Sequence, residues 1–289
     1  MKGCEYFQPE SLEEALSILA RPGSPPTILA GGTDVMVWVQ SGRFVPTSVL
    51  DIWKIRGECS GINTADDHIA IGSLATYQEI IQSPVVQEFL PLLNEASREV
   101  GAAQIQNRGT LGGNIGGSSP AGDTLPVLLA YDATIVLVSQ SGRREVPYNR
   151  FCLGYRKTAQ RQDELIAEIK FPKPGNGRFE KWYKVGTRLA QAISKVMVAG
   201  IGEVDHEGRV SFLRIAAGSV GPVPLLLEEV IRQAVGNRID EGCIESAKKA
   251  VIVDISPIDD VRSTAFYRAQ VTQNLVVRFL EDLARETEV

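Results

Sequence analysis

Arg108-Gly109-Thr110-Leu111-Gly112-Gly113-Asn114-Ile115-Gly116-Gly117-Ser118-Ser119-Pro120-Ala121-Gly122-Asp123 is the stretch on which the reading of this chain turns. It gathers glycine, small hydroxyls, one amide and one carboxylate into a single turn-rich run. Glycine lacks a Cβ, so it accepts positive φ and lets main-chain N–H groups approach an anion closely. Thr110, Asn114, Ser118 and Ser119 can add side-chain hydrogen bonds to phosphate or ribose oxygens. The composition suits backbone wrapped around a phosphorylated cofactor.

A second glycine-rich turn lies upstream. Thr27-Ile28-Leu29-Ala30 is a short apolar run that meets Gly31-Gly32-Thr33-Asp34 ahead of Val35-Met36-Val37-Trp38-Val39, a pattern of strand, tight loop and helix. Two such loops, well separated in sequence, could clamp an extended ligand with a pyrophosphate at its middle, as in FAD. Neither G-x-G-x-x-G nor G-x-x-x-x-G-K-[ST] can be placed on the chain, which argues against a Rossmann site or an NTPase.

The chain is 289 residues long and 44% hydrophobic, enough for two domains with real cores. A formal net charge of -5 offers no basic field for nucleic acid. Cys4, Cys59, Cys152 and Cys243 form no C-x-x-C pair, so an iron-sulfur or zinc site built by this chain alone is not expected. They read as reduced, packed thiols. The first residues carry no apolar signal core, and no apolar run reaches membrane-spanning length; the expected location is the cytoplasm.

Ser11-Leu12-Glu13-Glu14 has the capping-box pattern ahead of an amphipathic helix that Arg21-Pro22-Gly23 stops. Strands are expected at residues 48–52 and 68–72, and a second capping box at residues 76–79. Residues 84–98 read as one long helix. Strands follow at 133–138 and 164–171, so the first part is mixed α+β. Pro172-Lys173-Pro174-Gly175-Asn176-Gly177 is a breaker cluster, after which residues 181–185, 195–204 and 210–217 look like a strand meander. Beyond Gly221-Pro222-Val223-Pro224 the pattern turns helical. It ends in residues 263–285, where Phe266, Val271, Leu275, Val276, Phe279, Leu280 and Leu283 form an apolar stripe.

Ala30-Gly31-Gly32-Thr33-Asp34 and Thr110-Leu111-Gly112-Gly113-Asn114, the latter led in by Gln104-Ile105-Gln106-Asn107-Arg108, resemble the FAD-binding medium subunit of molybdenum hydroxylases, a family of xanthine dehydrogenases, aldehyde oxidases and aerobic carbon monoxide dehydrogenases. The likeness runs through nearly the whole chain. Gly154-Tyr155-Arg156-Lys157-Thr158 is similar to a stretch of the xanthine dehydrogenase branch. The fold implied is α+β: a two-subdomain FAD-binding domain of the vanillyl-alcohol-oxidase-like type over residues 1–174, then a smaller C-terminal α+β domain, meander plus helices, over residues 178–289. The resemblance implies that Ile28, Leu29, Ala30, Gly31, Gly32, Thr33, Asp34 and Val35, with Thr110, Leu111, Gly112, Gly113, Asn114 and Ser118, line the FAD. Asp123 would hydrogen-bond cofactor hydroxyls, and Ile166 and Lys184 would complete the pocket. It also implies a molybdenum-cofactor large subunit and a 2Fe-2S small subunit as partners, and NAD+ or another electron acceptor. Two departures stand out: Ala190-Gln191-Ala192-Ile193 lacks the acids of xanthine dehydrogenases, and Val100 replaces an aromatic over the flavin.

Each signal has a plainer reading. Gly31-Gly32 alone is a structural turn, Asp123 could cap a helix opened by Thr124, and Lys184 alone is a snorkelling surface lysine. Tyr155, Arg156 and Lys157 serve a flavin edge, a subunit contact or simply a solvated charged turn. His68 and His206 have no metal-ligand spacing around them. The leading functional expectation is an electron-transfer flavoprotein subunit, the flavin carrying the redox chemistry and no side chain acting as general acid or nucleophile. A stand-alone FAD oxidoreductase would instead need an acid-base cluster after residue 177, and a non-enzymatic nucleotide-binding assembly protein would keep the fold without turnover.

Overall fold

The computed structural model describes residues 3–173, 175, 177–188 and 190–286. Pro174 and Asn176 of the breaker cluster lie outside the described residues, as do the expected domain ends 1, 174 and 289.

The chain opens with β1 (Glu5–Phe7), α1 (Leu12–Leu19), β2 (Thr27–Leu29), α2 (Val35–Gln40) and β3 (Ser48–Asp51). The three strands form a parallel sheet in the order β1-β3-β2, the helices supplying the crossovers that parallel pairing requires. Ser11 caps α1 by accepting from Glu14 N at 3.1 Å, but the Glu14 carboxylate returns to Glu10 N at 2.7 Å, so the expected capping box is closed on one side only. Ala15, Leu16, Ile18 and Leu19 pack on Leu50 and Ile52 in a small core of their own.

After α3 (Arg56–Cys59) come β4 (Ile62–Thr64), β5 (His68–Gly72), α4 (Tyr77–Gln82), α5 (Pro84–Phe89), α6 (Pro91–Arg98), α7 (Ala103–Gln106), α8 (Leu111–Gly117) and α9 (Leu125–Ala130). The Thr76–Glu79 capping box of α4 is complete, with Thr76 N on Glu79 Oε2 at 2.8 Å and Glu79 N on Thr76 Oγ1 at 3.2 Å. The helix expected over residues 84–98 is two helices. Leu90 has φ −134° and ψ 55°, because the residue before a proline is pushed out of the helical region and Pro91 has no N–H to continue the ladder.

β6 (Thr134–Ser139), β7 (Gly142–Pro147), the small hairpin β8 (Cys152–Gly154) with β9 (Lys157–Thr158), and β10 (Leu165–Pro172) follow. They complete an antiparallel sheet in the order β4-β5-β10-β6-β7. A third sheet, β11 (Phe179–Val185), β12 (Val196–Val204), β13 (Val210–Gly218) and β14 (Leu225–Leu226), is the expected meander. It is followed by α10 (Glu228–Ala234), α11 (Glu241–Asp254) and α12 (Ala265–Glu286). Strand alternation divides the third sheet between two cores. Trp182, Ala199, Ile201 and Ala216 join the central core with α4, α6, α8 and α9, while Tyr183, Val198, Ile215 and Ala217 pack under the helical layer. In the apolar stripe of α12, Val276, Phe279, Leu280 and Leu283 are fully buried but Phe266, in its first turn, is 76% exposed. Among the described residues no helix is long and apolar enough to cross a membrane.

Candidate functional site

The two glycine-rich segments touch. A Cβ added to Gly31 would lie 1.7 Å from the Arg108 carbonyl oxygen, so the turn after β2 rests directly on the backbone that leads into α8. Gly32, with φ +77°, then redirects the chain into α2. Arg108 itself turns away, its guanidinium 3.7 Å from the Trp53 ring centroid.

The run read as a turn-rich loop is helical over Leu111–Gly117. Its many glycines disguise it, since glycine costs about 1 kcal/mol of helix propensity per residue against alanine. Burial and capping overcome that cost. Leu111 and Ile115 insert into the central core, Gly112 N donates to Ser73 O at 2.8 Å, and the Thr110 hydroxyl accepts from Gly113 N at 3.1 Å. A Cβ at Gly112 would come within 2.7 Å of Ser73 O, so this glycine serves packing. Gly113, Gly116 and Gly117, at i, i+3 and i+4, share the other face and leave it without side chains.

That bare face forms one wall of an open cleft of about 340 Å³. Ile28, Ala30, Gly31, Gly32, Thr33, Asp34 and Val35 line it from the first sheet; Thr110, Gly112, Gly113 and Asn114 line it from α8, and Ile166 from β10. Val100 lines it too. Leu29, Leu111, Ser118, Asp123 and Lys184 do not. Leu111 is wholly buried in the core. Ser118 closes α8 with φ 42° and points its hydroxyl at Cys152 Sγ, 3.4 Å away.

Asp123 and Lys184 are held by each other. Lys184 Nζ lies 2.9 Å from Asp123 Oδ2 and 3.0 Å from the Glu99 carbonyl, and Ser194 Oγ donates to Asp123 Oδ1 at 2.7 Å. Their side chains are 11% and 8% exposed, so Lys184 is no snorkelling surface lysine. Nor does Asp123 cap the next helix, whose N-cap Thr124 has no side-chain cap bond. Burial raises the Asp123 carboxyl above the ordinary range, against the opposing pull of Lys184 and Ser194.

Among the described residues two ionisable side chains line the cleft, Asp34 and Tyr77. Asp34 is open to the cleft yet surrounded by protein; desolvation raises its pKa, and the charge of Arg156 works against that. Arg156 sits at φ 52° in the turn between β8 and β9 with its guanidinium 4.7 Å from the Trp38 ring centroid, which carries the hairpin across to α2. Leu153 and Tyr155 on the same hairpin are 66% and 63% exposed. Arg188 donates to the carbonyls of Ala190 and Gln191, folding the segment that lacks acids onto itself. His68 pairs with the neighbouring Asp67 at 2.6 Å.

Sequence reasoning missed Trp38, Ser73, Tyr77, Gly116, Gly117 and Gln160, all of which line the cleft. Helical spacing from Gly113 would have found Gly116 and Gly117. Ser73 precedes a capping box and Tyr77 lies within it; both reach the cleft only through tertiary packing, which leaves no local signal.

Residues 2–174 match the family described as the FAD binding domain in molybdopterin dehydrogenase, and residues 181–283 match the CO dehydrogenase flavoprotein C-terminal domain. The chain is 30% identical to the nicotinate dehydrogenase FAD-subunit of Eubacterium barkeri, over 100% of this chain and 98% of that protein. It is 32% identical to the carbon monoxide dehydrogenase medium chain of Hydrogenophaga pseudoflava, over 96% of this chain and 95% of that one. Among solved structures, a carbon monoxide dehydrogenase chain from Hydrogenophaga pseudoflava superposes with a TM-score of 0.92 at 30% identity, covering 98% of this chain and 97% of that chain.

Proposed function

The chain belongs to the family of FAD-binding medium subunits of molybdenum hydroxylases, and from that premise we propose that it relays electrons from a 2Fe-2S small subunit to NAD+ or another acceptor, in a complex whose molybdenum-cofactor large subunit oxidises the substrate. FAD supplies the two-electron redox chemistry when bound. The chain's own residues fit that cofactor. Gly113, Gly116 and Gly117 leave a helix face on which a ligand can lie against backbone, and Ile28 with the 30–35 turn faces it across the cleft. Ile166 closes one side. Leu111 holds the α8 wall from behind, in the central core.

Asp123, Lys184 and Ser194 are assigned a supporting role, fixing the segment after α8 to β11 through a buried ion pair. Among the described residues Asp34 is the one carboxylate on the cleft lining, with no histidine, lysine or thiol beside it, so these side chains provide no acid-base pair. Binding, orientation and exclusion of water are what they contribute. We place the domain division at the breaker segment, residues 1–174 and 178–289. We place the protein in the cytoplasm, a reducing compartment that suits its four free cysteines.

The glycine-bare face of α8 across from the 30–34 turn is the observation that carries this reading. The test is to co-express the full chain with the two expected partners and purify the complex. A yellow complex that contains iron and molybdenum and releases FAD on denaturation supports the proposal. A colourless chain overturns it, and a monomer fully active without partners favours a stand-alone oxidoreductase.

A further inference from the structure

Gln160, on the link between β9 and β10, turns an amide oxygen toward the bare face of α8. Its Nε2 donates to the Glu164 carbonyl at 2.8 Å, which fixes the sense of the amide: the nitrogen is engaged with the protein and the oxygen is left to the cleft. The link itself is firmly held. Arg144 reaches the buried Glu164 carboxylate through Nε at 2.6 Å and Nη2 at 2.7 Å and also donates to the Ala159 carbonyl at 2.7 Å, while Arg161 N donates to the same carboxylate at 2.7 Å. Gln160 Oε1 stands 3.9 Å from where a Cβ on Gly116 would be. Among the described residues it accepts no hydrogen bond, and it is not one of the atoms sealed in the interior, so a ligand can reach it. Asp34 approaches the adjoining glycine from the other wall, with Oδ2 3.6 Å from where a Cβ on Gly117 would be, and its side chain makes no cap bond to α2. Two oxygen acceptors thus look onto the last turn of α8.

A ligand lying on α8 takes the amide oxygen out of water and must supply it with a donor, or else leave an acceptor unsatisfied. The phosphodiester oxygens of FAD have no hydrogen to give, whereas its ribityl and ribose hydroxyls and its ring N–H groups do. We propose that Gln160 is a cofactor-binding residue whose Oε1 accepts a hydrogen bond from a hydroxyl or N–H group of bound FAD, so that the pyrophosphate lies away from the Gly116–Gly117 turn, an assignment that rests on the FAD reading of this cleft.

The test uses the full chain stripped of flavin, as wild type, Gln160→Met and Gln160→Glu, titrated with FAD by flavin fluorescence and melted without ligand. Methionine keeps the length of the side chain and removes both halves of the amide; glutamate keeps an acceptor and loses only the donor to the Glu164 carbonyl. Both variants should therefore melt below wild type. Their affinities should separate, Gln160→Met binding FAD roughly tenfold more weakly than wild type and Gln160→Glu binding it more tightly than Gln160→Met. Equal FAD affinity of wild type and Gln160→Met overturns the assignment of Gln160 alone. Binding by Gln160→Glu that is no tighter than by Gln160→Met also overturns it, since the residue would then only anchor its link or would stand beside a phosphate. Failure of the wild type to bind FAD overturns the reading of the cleft and this inference with it.

Discussion

Gly31 lies with its Cα against the Arg108 carbonyl, 77 positions further along the chain, in a space that closes to 1.7 Å for any Cβ. The contact is backbone on backbone, so no side-chain rotation can relieve it. Gly31→Ala must push the β2–α2 turn off the segment leading into α8. Overpacking of this kind costs about 1–3 kcal/mol. The variant should melt below wild type and lose most of its bound flavin, read by differential scanning calorimetry and by flavin-to-protein absorbance.

Gly116→Ala should show the opposite balance. A Cβ there meets Ile166 Cδ1 at 3.7 Å and Gln160 Oε1 at 3.9 Å, which is ordinary contact, and alanine favours helix over glycine by about 1 kcal/mol. The empty chain should therefore be as stable or more stable. The new methyl group stands on the wall proposed for the cofactor, so FAD affinity should fall. A variant that gains stability and keeps full affinity would place the cofactor away from this face.

The Asp123–Lys184 pair is buried and closely coupled. Lys184→Met leaves a buried carboxylate without its cation, a loss of about 3–5 kcal/mol for pairs of this kind. Asp123→Asn combined with Lys184→Met removes both charges and should cost less than the sum of the two single changes. Urea unfolding of the four proteins in the cycle measures the coupling; simple additivity would mean the two residues act independently.

Acid stability should depend on Asp260. Burial alone would raise its carboxyl, but the Arg262 and Ser263 N–H groups and the Arg268 guanidinium outweigh that and bring it from 3.8 to about 2. A carboxylate depressed in the folded state stabilises the fold above its unfolded pKa, and that contribution is lost as pH falls through the folded pKa. Asp260→Asn should thus melt below wild type near neutral pH, with the gap closing between pH 3.8 and about 2. A gap that stays constant across that window would contradict the prediction.

Local patterns carried much of the fold into the sequence. The turn at residues 31–34, the capping box of α4 and the alternating strands of the third sheet are all set by neighbours within a few positions, so periodicity and end signals reveal them. The site was less legible. Glycine's poor helix propensity hid α8, whose helicity is imposed by Leu111 and Ile115 docking in a core built from distant segments. Asp123 is 61 positions from Lys184 and 71 from Ser194, separations at which no spacing rule operates. Tyr77, in the first turn of α4, reaches the cleft only through tertiary packing, which no local pattern shows.

The third sheet sets a limit on how this protein can be cut. Every described residue lining the cleft lies at or before Ile166, yet Trp182, Ala199, Ile201 and Ala216 finish the core behind it. A fragment ending at the breaker segment would retain all of the lining while exposing a sticky apolar surface where β11, β12 and β13 had been. Grafting the cleft onto another scaffold, or truncating the chain to isolate it, therefore has to bring that sheet along.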